Sequence, residues 1–188
     1  NLLSNICILH PNHKQIKMKY KILVFLLGII IINCDTKPNQ ECIDSLDASS
    51  KVKNNVEMYT KIWDTAINGR NLEVINLENF DENIKTITAD GDVVGIEAFK
   101  AYYSNYITGF SDAEFNIVDA FGQGDKVVKH WSFKGTHDGE FFGIPATGKK
   151  VNLIGTTLVL MKDGKILQEQ DFFDNYSFLA QLGLIPTD

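Results

Sequence analysis

The sequence predicts an α+β domain in which helices come first and a meander of long antiparallel strands follows. Three observations predict it. Val52, Val56, Tyr59, Ile62, Trp63 and Ile67 recur at three-four spacing, the signature of one apolar helical stripe. From residue 113 onward the pattern becomes alternation, with Phe115 and Ile117 set to face inward and Val118 a further option for that face. Gly122-Gln123-Gly124-Asp125 and Asp163-Gly164 punctuate the alternating runs as hairpin turns. Helices followed by a strand meander put the helices on one face of a sheet.

The elements follow in order. Ser49-Ser50 is set to cap the first helix, and Asn68-Gly69 to end it with a pair suited to the left-handed conformation. A short second helix is expected over 72–77, a strand over 84–88 and a turn at 89–92. A third helix over 95–108 carries Ile96, Phe99, Tyr102, Tyr103 and Tyr106 and stops at Gly109. Strands are expected over 113–121, 126–137, 151–162 and 165–173. A Gly/Pro-rich connection covers 140–148, and a short helix over 176–182 ends before Gly183.

Composition sets outer limits. The chain has 188 residues, 44% hydrophobic and 22% charged, enough for one packed domain. Its 12 Phe suggest a large apolar interior or an aromatic cavity wall. From Asp35 onward 14 basic residues face 24 acidic ones, so the domain lacks the basic patch that phosphate recognition needs, and no nucleic acid is expected as a partner. The four His are His10, His13, His130 and His137; two lie in the domain with no Cys nearby, so no metal site is expected. No Gly-rich phosphate loop follows a strand, and no cofactor is expected.

The N-terminal region reads differently. Met18-Lys19-Tyr20-Lys21 precedes an apolar run over 22–32, a length that fits a signal-peptide core and falls short of a membrane span. Ile31-Ile32-Asn33-Cys34 resembles a bacterial lipobox, with Asn33 where a small residue is usual. That resemblance implies export, lipidation of Cys34 and anchoring to the membrane of a bacterium, periplasmic or at the cell surface. A Cys34–Cys42 bridge is the competing reading. The expected organisation is an upstream extension over 1–17 ahead of an initiator at Met18, a signal peptide over 18–34, a polar tether over 35–51 and the domain over 52–188.

The run from Trp131 through Gly135-Thr136-His137-Asp138-Gly139, Gly143-Ile144-Pro145 and Thr147-Gly148-Lys149 to Val151 resembles the signature of SnoaL-like proteins, also called the ester cyclase family. Asp163-Gly164-Lys165-Ile166, the stretch from Asp171 to Asp174, and Gln181-Leu182-Gly183 resemble the same family's C-terminal part. The resemblance implies a nuclear transport factor 2-like fold, in which a strongly bent antiparallel or mixed sheet forms a cone closed by three N-terminal helices and a short C-terminal one. It implies a pocket in that cone and pairing of two copies through the open sheet face. The namesakes close a ring by an intramolecular aldol reaction with an acidic residue on the last long strand. Here Gln168 falls near that position, Gln170 stands where many members carry Trp, and Ile154 where members often place a His.

Period two on the last strand puts Ile166, Gln168, Gln170, Phe172 and Asp174 on one face, and Leu167, Glu169, Asp171 and Phe173 on the other. If the first face lines the cone, Asp174 is an acid/base candidate; otherwise it caps the terminal helix. Asp171 and His137 are candidates to share proton duties, although His137 could equally tie the Gly/Pro loop to the sheet. Trp63, Tyr59, Tyr103, Tyr106, His130, Trp131, Gln168, Gln170 and Phe172 are candidate pocket residues. Three functions are open: a module binding a small apolar or amphiphilic molecule, an enzyme (cyclase, isomerase or hydrolase) using pocket Asp and His, or a dimerising scaffold.

Overall fold

The computed structural model describes residues 39–186. The readings made on 1–17, on the signal peptide and on Cys34 lie outside the described residues. Two compact units divide the chain, one up to Leu46 and the other from Asp47 onward.

Helix α1 spans Gln40–Trp63 and begins well before the expected cap at Ser49-Ser50. Nothing between Gln40 and Trp63 is Gly or Pro, so no residue interrupts helical dihedrals, and the Gln40 amide donates to Asp44 one turn on, at 2.8 Å. Ser49 and Ser50 therefore sit inside the helix rather than at its cap. The apolar stripe behaves as expected: Tyr59, Ile62, Trp63 and Ile67 are buried. The last turn widens to π geometry over Asp64–Asn68. Gly69 follows with φ −75°, and the left-handed residue is Arg70, at φ 49°. Gly69 is needed for space: a Cβ there would lie 2.5 Å from the Thr65 carbonyl oxygen. Arg70 then donates to the carbonyls of Ile107, Phe110 and Ser111, at 2.7, 3.2 and 3.2 Å, satisfying the exposed end of the next long helix.

The expected second helix is a single 3-10 turn, Leu72–Val74, capped by the Asn71 side chain. Strands β1 (Phe80–Thr86) and β2 (Val93–Val94) precede α2 (Ile96–Gly109), and β3 (Glu114–Gln123), β4 (Lys126–Thr136), β5 (Lys150–Lys162) and β6 (Lys165–Phe173) follow, with α3 (Asn175–Gln181) last. They form one six-stranded mixed sheet, ordered β2-β1-β6-β5-β4-β3, in which only the β1/β6 pair is parallel. This is the expected α+β architecture of a curved sheet with helices.

Bulges supply the curvature. One extra residue, Val118, interrupts the β3/β4 register between Ile117 and Asp119. Another, Leu167, interrupts β6 opposite Leu160 and Met161. A bulge bends its strand and reverses the facing of the residues beyond it. That is why Ile166 and Glu169, of opposite parity, are both fully buried.

Candidate functional site

The inward face of the sheet is built row by row across three strands. Val127, Val159 and Glu169 form one paired row, Lys129, Thr157 and Asp171 the next, and Trp131, Gly155 and Phe173 the third. Trp63 comes from α1, Tyr103 and Tyr106 from α2, and Phe178 from α3. Together with Ile67, Phe115, Phe133 and Leu153 they enclose a cavity of about 40 Å³ whose charged lining residues are Lys129 and Asp171.

Glu169 lies just behind that wall and is fully buried. Its Oε1 accepts from the Trp63 indole N–H at 2.9 Å, and its Oε2 lies 2.9 Å from the Tyr103 hydroxyl. The same hydroxyl lies 3.1 Å from Asp171 Oδ2. The other Asp171 oxygen accepts from the Thr157 hydroxyl, which accepts in turn from the Trp131 indole N–H at 3.0 Å. One phenolic proton cannot be donated to two carboxylates at once. Both contacts are hydrogen bonds when Glu169 is protonated and donates to the Tyr103 oxygen, and Tyr103 donates to Asp171. Burial pushes the Glu169 carboxyl up in pKa; Asp171 adds to this and Lys129 opposes it. Burial also pushes the Tyr103 phenol well above its usual range, with Asp171 and Glu169 adding to the effect. The three groups form a chain along which a proton can pass between the interior and the cavity.

Lys129 is 3% exposed. Its Nζ sits over the Trp63, Phe115 and Tyr59 rings, at 4.5, 5.0 and 5.1 Å from their centroids. Burial pushes the ammonium down in pKa, opposed by the negative charge of Glu169 and Asp171.

Gly155 makes this cavity possible. A Cβ there would lie 2.3 Å from Cζ2 of Trp131, on the facing strand pair. Gly155→Ala is expected to displace the Trp131 ring into the cavity and to destabilise the fold by about 1–3 kcal/mol. Urea unfolding measures this; an unchanged midpoint would contradict it.

The structure brings Trp63, Tyr103, Tyr106, Trp131 and Asp171 to the cavity. Other candidates fall elsewhere. Asp174 is exposed and caps α3, its carboxylate accepting from the Ser177 N–H at 2.9 Å. His137 is buried under the Gly/Pro loop and is not part of the cavity wall. Its Nδ1 lies 3.0 Å from the Thr147 hydroxyl, and its backbone pairs with Lys149 and Gly148. His130 is exposed on the outward face, opposite Thr156 and Asp119. Gln168, Gln170 and Phe172 share that outward face; Phe172 is 49% exposed, and Ile154 is 68% exposed. Tyr59 is buried behind the wall, packed edge-on to Trp63 at 6.4 Å. The physical reason on β6 is the bulge at Leu167, which places Glu169, Asp171 and Phe173 inward. Sequence reasoning passed over Glu169 and Lys129. Their signal was present: Val127, Lys129, Trp131 and Phe133 alternate as an inward register, as do Glu169, Asp171 and Phe173.

Residues 54–182 match the family model for SnoaL-like polyketide cyclases. Among solved structures, the chain is similar to a protein from Jannaschia sp. CCS1 described as a SnoaL-like polyketide cyclase. Identity is 25% and the TM-score 0.66, over 72% of this chain and 95% of that one. It is also similar to a Bacillus cereus protein described as a polyketide cyclase, at 28% identity and a TM-score of 0.58, over 71% of this chain and 83% of that one. AclR from Streptomyces galilaeus, described as a hydroxylase, shares the fold at 20% identity and a TM-score of 0.63, covering 73% and 85% of the two chains. No curated protein matches the chain in sequence. The motif around Thr136 to Gly148, the six-stranded bent sheet and the family match agree: the chain belongs to the SnoaL-like polyketide cyclase family.

Proposed function

We propose that the cone cavity binds a small, neutral, largely apolar molecule carrying a carbonyl group, and that Asp171 moves a proton on it. The observation that carries this reading is Asp171 itself: the one carboxylate among the described residues of a mostly aromatic and aliphatic wall, held on one oxygen by Thr157 and on the other by Tyr103. A carboxylate fixed this way is oriented to take a proton from a C–H beside a carbonyl. The Glu169–Tyr103 chain can then return a proton from the interior. The Gln168 position, which sequence reasoning treated as a missing acid, faces outward and takes no part. A cavity of about 40 Å³ holds roughly three water-sized positions. It is far below the roughly 300–1,000 Å³ of a drug-sized ligand site. A ligand of few heavy atoms fits the closed form, and a multi-ring substrate requires the walls to part.

The chain has two Trp, Trp63 and Trp131, and both line this cavity. Tryptophan fluorescence therefore reports occupancy directly. Cyclopentanone is expected to change the emission. Ile67→Phe, which fills the cavity, is expected to weaken the response by about tenfold or more. Phe172→Ser, on the outward face, should leave it unchanged. An emission indifferent to the ketone, or to Ile67→Phe, would sink the reading.

Two parts of the reading concern other regions. Export with lipidation at Cys34 rests on residues 18–34, and the mass of the mature N-terminus from the native host decides it. Pairing of two copies through the open sheet is supported by the exposed Phe121, Ile154, Leu158 and Phe172, and sedimentation at micromolar concentration decides it.

A further inference from the structure

We propose that Lys129 is a covalent site, whose amine captures a small aldehyde or ketone as an imine inside the cone cavity. The inference shares the cavity with the reading above and goes beyond it, because proton transfer at Asp171 requires no bond to Lys129.

The position of Lys129 is unusual for a lysine. It stands at the middle of β4 between Val127 and Trp131 and is 3% exposed, where a solvated surface lysine would extend its head into water. Yet its Nζ makes no hydrogen bond and no ion pair with any described residue; three aromatic faces surround it. Glu169, one of the two acids whose charge acts on Lys129, has its oxygens engaged by the Trp63 indole and the Tyr103 hydroxyl. Ring faces compensate an ammonium only in part. Removing that ammonium from water costs more than such faces return. Burial therefore biases Lys129 toward the uncharged amine, against the pull of Glu169 and Asp171, and that is the form with a lone pair to donate. A lysine that only covered the Trp63 and Tyr59 rings would gain by pairing its head with a carboxylate; here the head turns to the cavity instead.

The cavity also selects the electrophile. With a neutral Lys129 and a carboxylate at Asp171, the lining holds no cation to receive an anion, so the fitting ligand is a neutral carbonyl compound. The step balances within the site. The amine nitrogen adds to the carbonyl carbon, and the oxygen takes the proton lost from nitrogen to give a carbinolamine. A proton passed from protonated Glu169 through Tyr103 to that hydroxyl lets it leave as water, forming the C=N bond of a protonated imine, whose N–H proton is given up to the Asp171 carboxylate to leave the imine. Neither an oxidant nor a further co-reactant is needed.

The full chain is incubated with limiting propanal and sodium cyanoborohydride, which reduces the imine to a stable amine. Peptide mass spectrometry then ranks the labelling of each lysine between pH 6 and 9. At pH 7 Lys129 is expected to label at least about tenfold faster than any exposed lysine, whose ordinary pKa leaves few amines uncharged. Its advantage should shrink toward pH 9. In Lys129→Arg this fast label should vanish, with the exposed lysines labelling as before. Labelling of Lys129 at or below the pace of exposed lysines would overturn the proposal. So would a fast label located elsewhere. If cyclopentanone still changes the tryptophan emission while Lys129 stays unlabelled, the imine fails and the binding reading stands. If neither occurs, both fail.

Discussion

Glu169→Ala is expected to destabilise the domain by about 2–5 kcal/mol, the cost of leaving a buried donor without its acceptor and a void where a fully buried side chain stood. The loss has three sources. The Trp63 indole N–H loses its acceptor, the Tyr103 hydroxyl loses one of its two carboxyl neighbours, and buried Lys129 loses part of the negative charge that opposes its desolvation. Glu169→Gln separates these effects, since an amide oxygen can still accept from Trp63. The sign of the pH dependence follows from the raised carboxyl. A group whose pKa is higher folded than unfolded stabilises the fold below its unfolded value. It loses that contribution as pH rises through the folded value. Wild-type protein should therefore lose stability across that window, and Glu169→Gln should not, so the difference between them shifts toward the glutamine variant as pH rises. Denaturant midpoints across pH measure all of this. A loss below about 1 kcal/mol for Glu169→Ala would mean that the buried set carries no stability.

The order of the elements was legible because their periodicities are strong and their turns carry specific chemistry. The spacing of Tyr59, Ile62 and Trp63 described the buried face of α1, and Asp163-Gly164 located the β5/β6 turn, with Asp163 at φ 49° and Gly164 at φ 76°. The start of α1 was misread because polar residues such as Gln40 to Ser50 look alike in a solvated helix and in a tether. The site was less legible for a different reason. Period-two reasoning assumes an unbroken strand, and the bulge at Leu167 breaks it in the strand that carries the carboxylates. The parity of Ile166, an obvious core residue, pointed to Gln168 and Gln170, while the residues beyond the bulge that face inward are Glu169 and Asp171. Lys129 escaped because a charge within an apolar alternation reads as a solvated position. Its alternation with Val127, Trp131 and Phe133 points inward, and the packing of Tyr59, Trp63 and Phe115 around its head bears that out.

We propose that the working carboxylate of this chain is Asp171, inside the cone, and not Asp174 at the helix cap. Exchange of the α-hydrogens of cyclopentanone for deuterium in D₂O, followed by proton NMR, tests it most directly. Wild-type protein should accelerate the exchange, and Asp174→Asn should do so equally. Asp171→Asn keeps the shape and the Tyr103 and Thr157 neighbours but removes the base. It should lose about 10²–10⁴ of the rate, the usual contribution of a positioned general base. Exchange that survives Asp171→Asn at the wild-type rate, or that disappears in Asp174→Asn, would contradict the account.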